Sequence, residues 1–182
     1  LGCGKGAVSV RIAEAFQYEC HGIDALAEFI SFAKAKAVDY NVSALCRFET
    51  GDIRERIHCL HKYDIIILGA IGQVLGNYCE TLTQLNPHLN DNGIIIIDDG
   101  YVGDESEWAH PQVLTKNEML RQMGNAGMQL VDEVLVDEAL VHSYDEEYFN
   151  LAKRCEELID SYPEKANLFL DFKEQQQQEY EK

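Results

Sequence analysis

Apolar residues recur at Val8, Ile12, Ala15 and Phe16, the i, i+4, i+7, i+8 spacing of one helix face, directly after a glycine-rich opening. Cys20 to Ile23 is a short apolar stretch closed by Asp24, and Leu26, Phe29, Ile30, Ala33 and Ala37 then repeat at helical intervals. A second strand is expected near Val42 to Phe48, ending at Gly51-Asp52, with a short helix from about Ile53 to Leu60. Tyr63 to Leu68 and Gly93 to Ile97 are near-continuous apolar runs, the pattern of parallel strands buried on both faces. Gly69 closes the first and Asp98-Asp99-Gly100 the second. Between them Leu75, Cys79, Leu82 and Leu85 mark a helix, which Asn86-Pro87 and Asn90 to Gly93 interrupt.

Strand and helix alternate four times, which predicts an α/β fold. Its sheet is expected to be mostly parallel with helices on both faces, because parallel neighbours need long right-handed crossovers that a helix fills. Further on, Thr115 and Glu118 form a T-x-x-E capping box opening a helix that ends near Gly124 or Gly127, and Met128 to Val136 reads as a later strand. Ser143 and Glu146 form a second capping box ahead of Tyr148, Leu151, Ala152, Cys155, Leu158 and Ile159, an amphipathic helix that Pro163 breaks. A last helix carries Leu168, Phe169 and Phe172 before the polar run Gln175 to Gln178, so the end of the chain reads as a helical hairpin. At 182 residues the chain is expected to form one domain, with a core over 1–136 and the hairpin, 137–182, as part of it.

Charge narrows the partners. The 32 acidic and 15 basic residues give a formal charge of -17, a field that repels phosphate backbones and anionic lipid, so neither nucleic acid nor membrane is expected. No apolar run approaches the roughly 18 residues of a membrane span. Six cysteines without a CxxC pair suit a reduced, cytoplasmic protein. The chain opens at Leu1, not methionine, with no charged region leading into an apolar stretch; no signal peptide is expected, and an upstream segment is.

Leu1-Gly2-Cys3-Gly4-Lys5-Gly6 precedes the first helix, and glycines at a strand-to-helix turn let backbone N–H groups approach a ligand. Gly2, Gly4 and Ala7 also satisfy the G-x-G-x-x-G/A dinucleotide fingerprint, with Asp24 near its ribose-binding distance. Asp24 and Asp52 fall at carboxyl ends of strands, along the rim where α/β sheets bind ligands. Each also has a purely structural reading, Asp24 as a helix N-cap and Asp52 as a turn acid before a helix.

Taken in order, LGCGKG, GID, GDI, YDIIILG and NDNGIIIIDD resemble the class I S-adenosylmethionine-dependent methyltransferases over roughly Leu1 to Val136. The resemblance implies a Rossmann-like fold and S-adenosyl-L-methionine as cofactor, with S-adenosylhomocysteine as product. Gly2, Gly4 and Gly6 would then hold the methionine part, Asp24 the ribose hydroxyls and Asp52 the adenine amino group. Ile53 would pack the ring, and backbone near Leu68, Gly69 and Ala70 would line the sulfonium end. The first and last strands of the family fold have no counterpart here. The resemblance therefore implies a gap in mid-sheet where the first strand belongs, and a missing last antiparallel strand.

Asp98, Asp99 and Tyr101 lie past the fifth strand of that family order, where its acceptor pocket opens, and are candidates for a general base, as are His110 and His142. Asp98, Asp99, Asp104, Glu105 and Glu107, walled by Tyr101 and Trp108, would suit a small amine or cationic acceptor. His58, Cys59 and His61 offer at most three ligands and nothing completes a site, so no metal is expected. Tyr148, Phe149, Tyr162, Phe169 and Phe172 have the spacing of hairpin packing or, alternatively, of a lid. Two rival functions stay open: an NAD-type oxidoreductase, although no hydride-site constellation is found, and a noncatalytic nucleotide-cofactor-binding module.

Overall fold

β1 (Cys20–Asp24) and β2 (Cys46–Thr50) pair in parallel, Cys20 opposite Cys46 and Asp24 opposite Thr50. α1 (Ala7–Phe16) precedes β1, and α2 (Ala27–Asp39) is the crossover. Period-two alternation sends Phe48 to one face, where it joins Val10 and Ala13 of α1 and Ile30, Ala33 and Ala37 of α2 in a buried cluster. The opposite face carries Ile23, which packs with Ile53 and Ile57. Those two belong to α3 (Ile53–Arg56) and the 3-10 turn Ile57–Cys59 that continues it. A computed structural model describes residues 1–105, 113–135 and 138–180, with side chains over 147–177 in the last stretch. It divides into two compact units, Leu1–Leu130 and Val131–Lys182.

β3 (Tyr63–Gly69) and β4 (Leu89–Asp98) form a second parallel ladder, with Ile66 opposite Ile95 and Leu68 opposite Ile97. α4 (Tyr78–Leu85) is its crossover; an Asn77–Glu80 capping box starts it, so Leu75 belongs to the preceding turn, where it is buried. The expectation that both faces are buried is corrected here. Ile66 and Leu68 are 5% and 3% exposed, whereas on the other face Ile65, Ile94 and Ile96 are 38%, 42% and 45% exposed. A run that is isoleucine on both faces hides the period-two pattern that would have told a covered face from an open one.

Among the described residues the two ladders do not pair with each other. β1 and β3 stand apart, as the resemblance implied. The opening residues link their carboxyl ends: Leu1 N donates to the Ile67 carbonyl at 2.9 Å and Cys3 N to the Ile23 carbonyl at 2.9 Å.

α5 (Lys116–Asn125) starts where Thr115 Oγ1 accepts from Glu118 N at 3.3 Å, but the Glu118 carboxylate bonds forward to Arg121 and Gln122, so only half of the expected box forms. The strand expected from Met128 is not found over the described residues 128–135. Val131 and Val134 are 75% and 92% exposed there, and among the described residues no strand pairs with them.

In the second unit α6 (Glu138–Ser161) and α7 (Ala166–Tyr180) are joined by the 3-10 turn Pro163–Lys165 and tied by Lys173 Nζ to Glu156 Oε1 at 2.7 Å. The hairpin is as expected, but α6 begins before Ser143, which is interior and not an N-cap. Cys155 is buried, while Phe149, Tyr162 and Phe172 are exposed. All six cysteines are free thiols, and among the described residues no helix is long and apolar enough to cross a membrane.

Candidate functional site

The glycine turn folds back on the end of β1. Gly2, Gly4 and Gly6 all have positive φ, the left-handed region in which side chains are strained. At Gly6 a Cβ would lie 2.7 Å from Ala33 Cβ and 3.0 Å from Phe48 Cζ, so this glycine lets the turn sit down on α2 and β2. A Cβ at Gly4 would meet nothing within 4 Å, which leaves that stretch of backbone facing open space.

Asp24 organises the turn. Its Oδ2 accepts from Gly4 N at 2.8 Å and its Oδ1 from Leu26 N at 2.9 Å. Each oxygen takes one backbone donor and keeps a lone pair for a further one. The N-cap of α2 is Leu26, so Asp24 is not the helix cap; it bonds two residues ahead in an Asx turn.

Asp52 lies beside it, because Gly51 N donates to the Asp24 carbonyl at 2.9 Å and joins the two strand ends. Its carboxylate is occupied: Oδ1 accepts from Arg54 N at 2.9 Å, as the N-cap of α3, and from Arg54 Nε at 2.9 Å. Arg54 Nε also reaches Oδ2 at 3.0 Å, and Nη2 closes the fork on the same oxygen. The guanidinium, then the backbone N–H, hold the Asp52 carboxyl down at about 2. The turn-acid reading of Asp52 thus describes what it does here. Ile53 is packed among Ile23 and Ile57 and is 7% exposed.

The loop after β3 closes the other side. Leu68 is buried and Gly69 exposed, and Ala70, at φ +49°, donates its N–H to the Asp98 carbonyl at 3.1 Å. A Cβ on Gly2 would lie 2.7 Å from Ile71 Cγ2, so the glycine turn and this loop touch. The structure therefore gathers Gly2, Gly4, Gly6, Asp24, Asp52 and Gly69 at the carboxyl ends of β1, β2 and β3.

A shallow cleft, open to solvent, continues from that loop between Leu68, Ile71, Gln73, Tyr78, Asp98 and Asp99. Tyr78 donates its hydroxyl to Asp99 Oδ2 at 2.8 Å; burial of the ring, and then the carboxylate, push its phenol well above the usual range. Asp99 also accepts from Gly100 N at 2.8 Å. Asp98 is exposed, and among the described residues no hydrogen bond reaches its carboxylate. Tyr101 is half-buried with Lys116 Nζ 5.3 Å from its ring centroid. Asp104, expected as part of an acidic wall, accepts from Asn117 N at 2.9 Å and so caps the start of α5. Glu107, Trp108 and His110 lie outside the described residues, as does the side chain of His142. His58, Cys59 and His61 are exposed.

Sequence reasoning missed Arg54 and Tyr78. Arg54 left no periodic signal, since an i, i+2 pair at a turn is invisible to face-matching. Tyr78 was legible: Asn77-x-x-Glu80 is a capping pattern that puts Tyr78 at the first helical position, beside the rim.

Residues 1–153 match the model of a family described as methyltransferase domain. The chain belongs to the methyltransferase domain family. The malonyl-[acyl-carrier protein] O-methyltransferase of Bacillus cereus is 32% identical to it over 97 residues, covering 53% of this chain and 34% of that protein. The chain thus spans about a third of the length of that curated relative. Among solved structures, an S-adenosylmethionine-dependent methyltransferase from Thiobacillus denitrificans, bound to S-adenosyl-L-homocysteine, superposes with a TM-score of 0.78 at 20% identity. That match covers 98% of this chain and 75% of the other. A methyltransferase from Geobacter sulfurreducens, also bound to S-adenosyl-L-homocysteine, gives the same TM-score of 0.78, 20% identity and coverages of 98% and 75%. At this identity the likeness is one of fold. All four strands, the glycine turn, Asp24, Asp52 and Gly69 fall inside the segment matched to the methyltransferase domain family.

Proposed function

We propose that this chain is an S-adenosyl-L-methionine-dependent methyltransferase that acts in the cytoplasm on a small-molecule acceptor. The observation that carries the reading is the bond from Gly4 N to Asp24 Oδ2, which ties the glycine turn to the ribose-type carboxylate with Asp52 at the adjacent strand end. The residues present fit the cofactor: Gly4 faces open space, and both Asp24 oxygens keep acceptor capacity for hydroxyl groups. Gly2, Gly4 and Gly6 would hold the amino-acid part, Asp24 the ribose, Asp52 the adenine amino group, and Leu68 and Gly69 the sulfur end. Bound there, the cofactor supplies an already activated methyl donor.

What the protein adds is placement. Orienting an acceptor against a donor supplies on the order of 7 kcal/mol or more of barrier lowering without any chemical group taking part. The cleft beside Gly69 is where the acceptor would sit. Asp98 and Asp99 line it, and a carboxylate there takes the acceptor's proton where the acceptor must lose one. Two exposed carboxylates in a chain of formal charge -17 favour a protonated amine or other cation over an anion. Tyr101 would form part of the wall.

Calorimetric titration with S-adenosylhomocysteine and, separately, with NAD tests the reading. Binding of the first and not the second is expected; preference for NAD would replace the methyltransferase with the oxidoreductase. Incubation with labelled cofactor and a set of amines and carboxylates then tests the acceptor class, with transfer to amines expected.

A further inference from the structure

Asp52 is the one proposed cofactor contact whose hydrogen-bonding capacity is already filled by a side chain. Both oxygens point into the Arg54 fork. The neighbouring arginine cannot take this place, because Arg56 Nε is bonded to Glu49 Oε1 at 3.1 Å and its stem lies 2.8 Å from where a Gly51 Cβ would be. Arg56 thus braces the β2 turn, while Arg54, with its side chain 68% exposed, is held among the described residues only by Asp52.

We propose that Arg54 is a built-in competitor at the adenine end of the site, which must swing off Asp52 before an adenine amino group can bond there, and which thereby sets cofactor affinity. The proposal rests on the methyltransferase reading and adds to it a residue that opposes binding. An exposed ion pair with one strand-end carboxylate is weak enough to be displaced by a ligand, yet a planar, bidentate fork is the strongest geometry such a pair takes. The competition is electrostatic, so salt weakens the competitor more than it weakens an amino-group hydrogen bond.

The test is calorimetry with S-adenosylhomocysteine on wild type, Arg54→Ala and Arg54→Lys at low and high salt. Loss of the fork should tighten binding by about two- to fivefold at low salt, the range an exposed pair supports. Arg54→Lys, which keeps the charge and loses the fork, should fall between. The gap between wild type and Arg54→Ala should shrink at high salt. A ligand in which the 6-amino group is replaced by a carbonyl, S-inosylhomocysteine, should show no gain from Arg54→Ala. Equal or weaker binding of S-adenosylhomocysteine by Arg54→Ala overturns the competitor role and leaves the methyltransferase reading intact. A wild type that binds no S-adenosylhomocysteine overturns both.

Discussion

The β1–β2 and β3–β4 ladders are the same device, two parallel strands and a crossover helix, yet they are finished differently. β1–β2 is covered on one face by α1 and α2 and on the other by α3, and the carboxylates at its end are held in place, Asp24 by two backbone N–H groups that leave each oxygen a lone pair and Asp52 by the Arg54 fork. β3–β4 buries one face and leaves isoleucines open on the other, and at its end Asp98 has no hydrogen-bond donor among the described residues. The end that would grip a fixed ligand is built in advance, while the end that would meet a variable acceptor is left loose. Preorganisation serves a cofactor that never changes, because the glycine turn and the Asp24 acceptors need no reordering when it binds, and in our proposal Arg54 is the group that has to move.

The sharpest way to break this contrast is through the sheet faces. Ile66→Ala removes a buried side chain and should cost about 2–5 kcal/mol by urea unfolding. Ile65→Ala, one residue away on the open face, should cost less than about 1 kcal/mol. Equal losses would mean that the open face is covered in solution and that the two ladders are finished alike.

Glycines give the next largest effect. Gly6→Ala combines a left-handed backbone with a Cβ 2.7 Å from Ala33, and should destabilise by about 2–4 kcal/mol. Gly100→Ala, where a Cβ meets nothing within 4 Å and φ is not positive, should stay within about 0.5 kcal/mol in the same assay.

The contrast also explains what the sequence could and could not reveal. Cys20 to Asp24 and Tyr63 to Gly69 were legible because short apolar runs bounded by Asp or Gly are constrained locally. The glycine turn and Asp24 were legible together because both lie next to the same strand end. The coverage of β3–β4 was not, since an all-isoleucine strand carries no record of which face has a neighbour. Met128 to Leu135 has strand composition but no ladder partner among the described residues, and pairing is a property of two segments. Arg54 and Tyr78 act through contacts at a turn and across a cleft, which one-dimensional spacing does not encode.

Ligand affinity separates the two strand ends. Asp24→Asn removes a charge that accepts from Gly4 and, in our reading, from the ribose; S-adenosylhomocysteine binding by calorimetry should weaken about tenfold or more. Asp99→Asn should leave that affinity within about twofold, because Asp99 faces the cleft and is bonded to Tyr78. A loss at Asp99 as large as at Asp24 would place the cofactor, not the acceptor, in the cleft.

The smallest effect concerns Asp52 itself. Arg54 holds its carboxyl at about 2, below the ordinary value of 3.8, so the group is ionised more readily folded than unfolded. A depressed pKa contributes stability that is complete above the unfolded value and is lost as the pH falls through the folded one. The contribution of Asp52 should therefore be constant at neutral pH and drain away between about 4 and 2, a window that Asp52→Asn lacks. Carbon-detected NMR titration of the Asp52 side chain reads this directly. Its midpoint should lie near 2 in wild type and move back toward 3.8 in Arg54→Ala, with only the Arg54 N–H left to hold it down. A midpoint near 3.8 in both proteins would show that the fork does not persist in solution, and Asp52 would then stand as open to a ligand as Asp98.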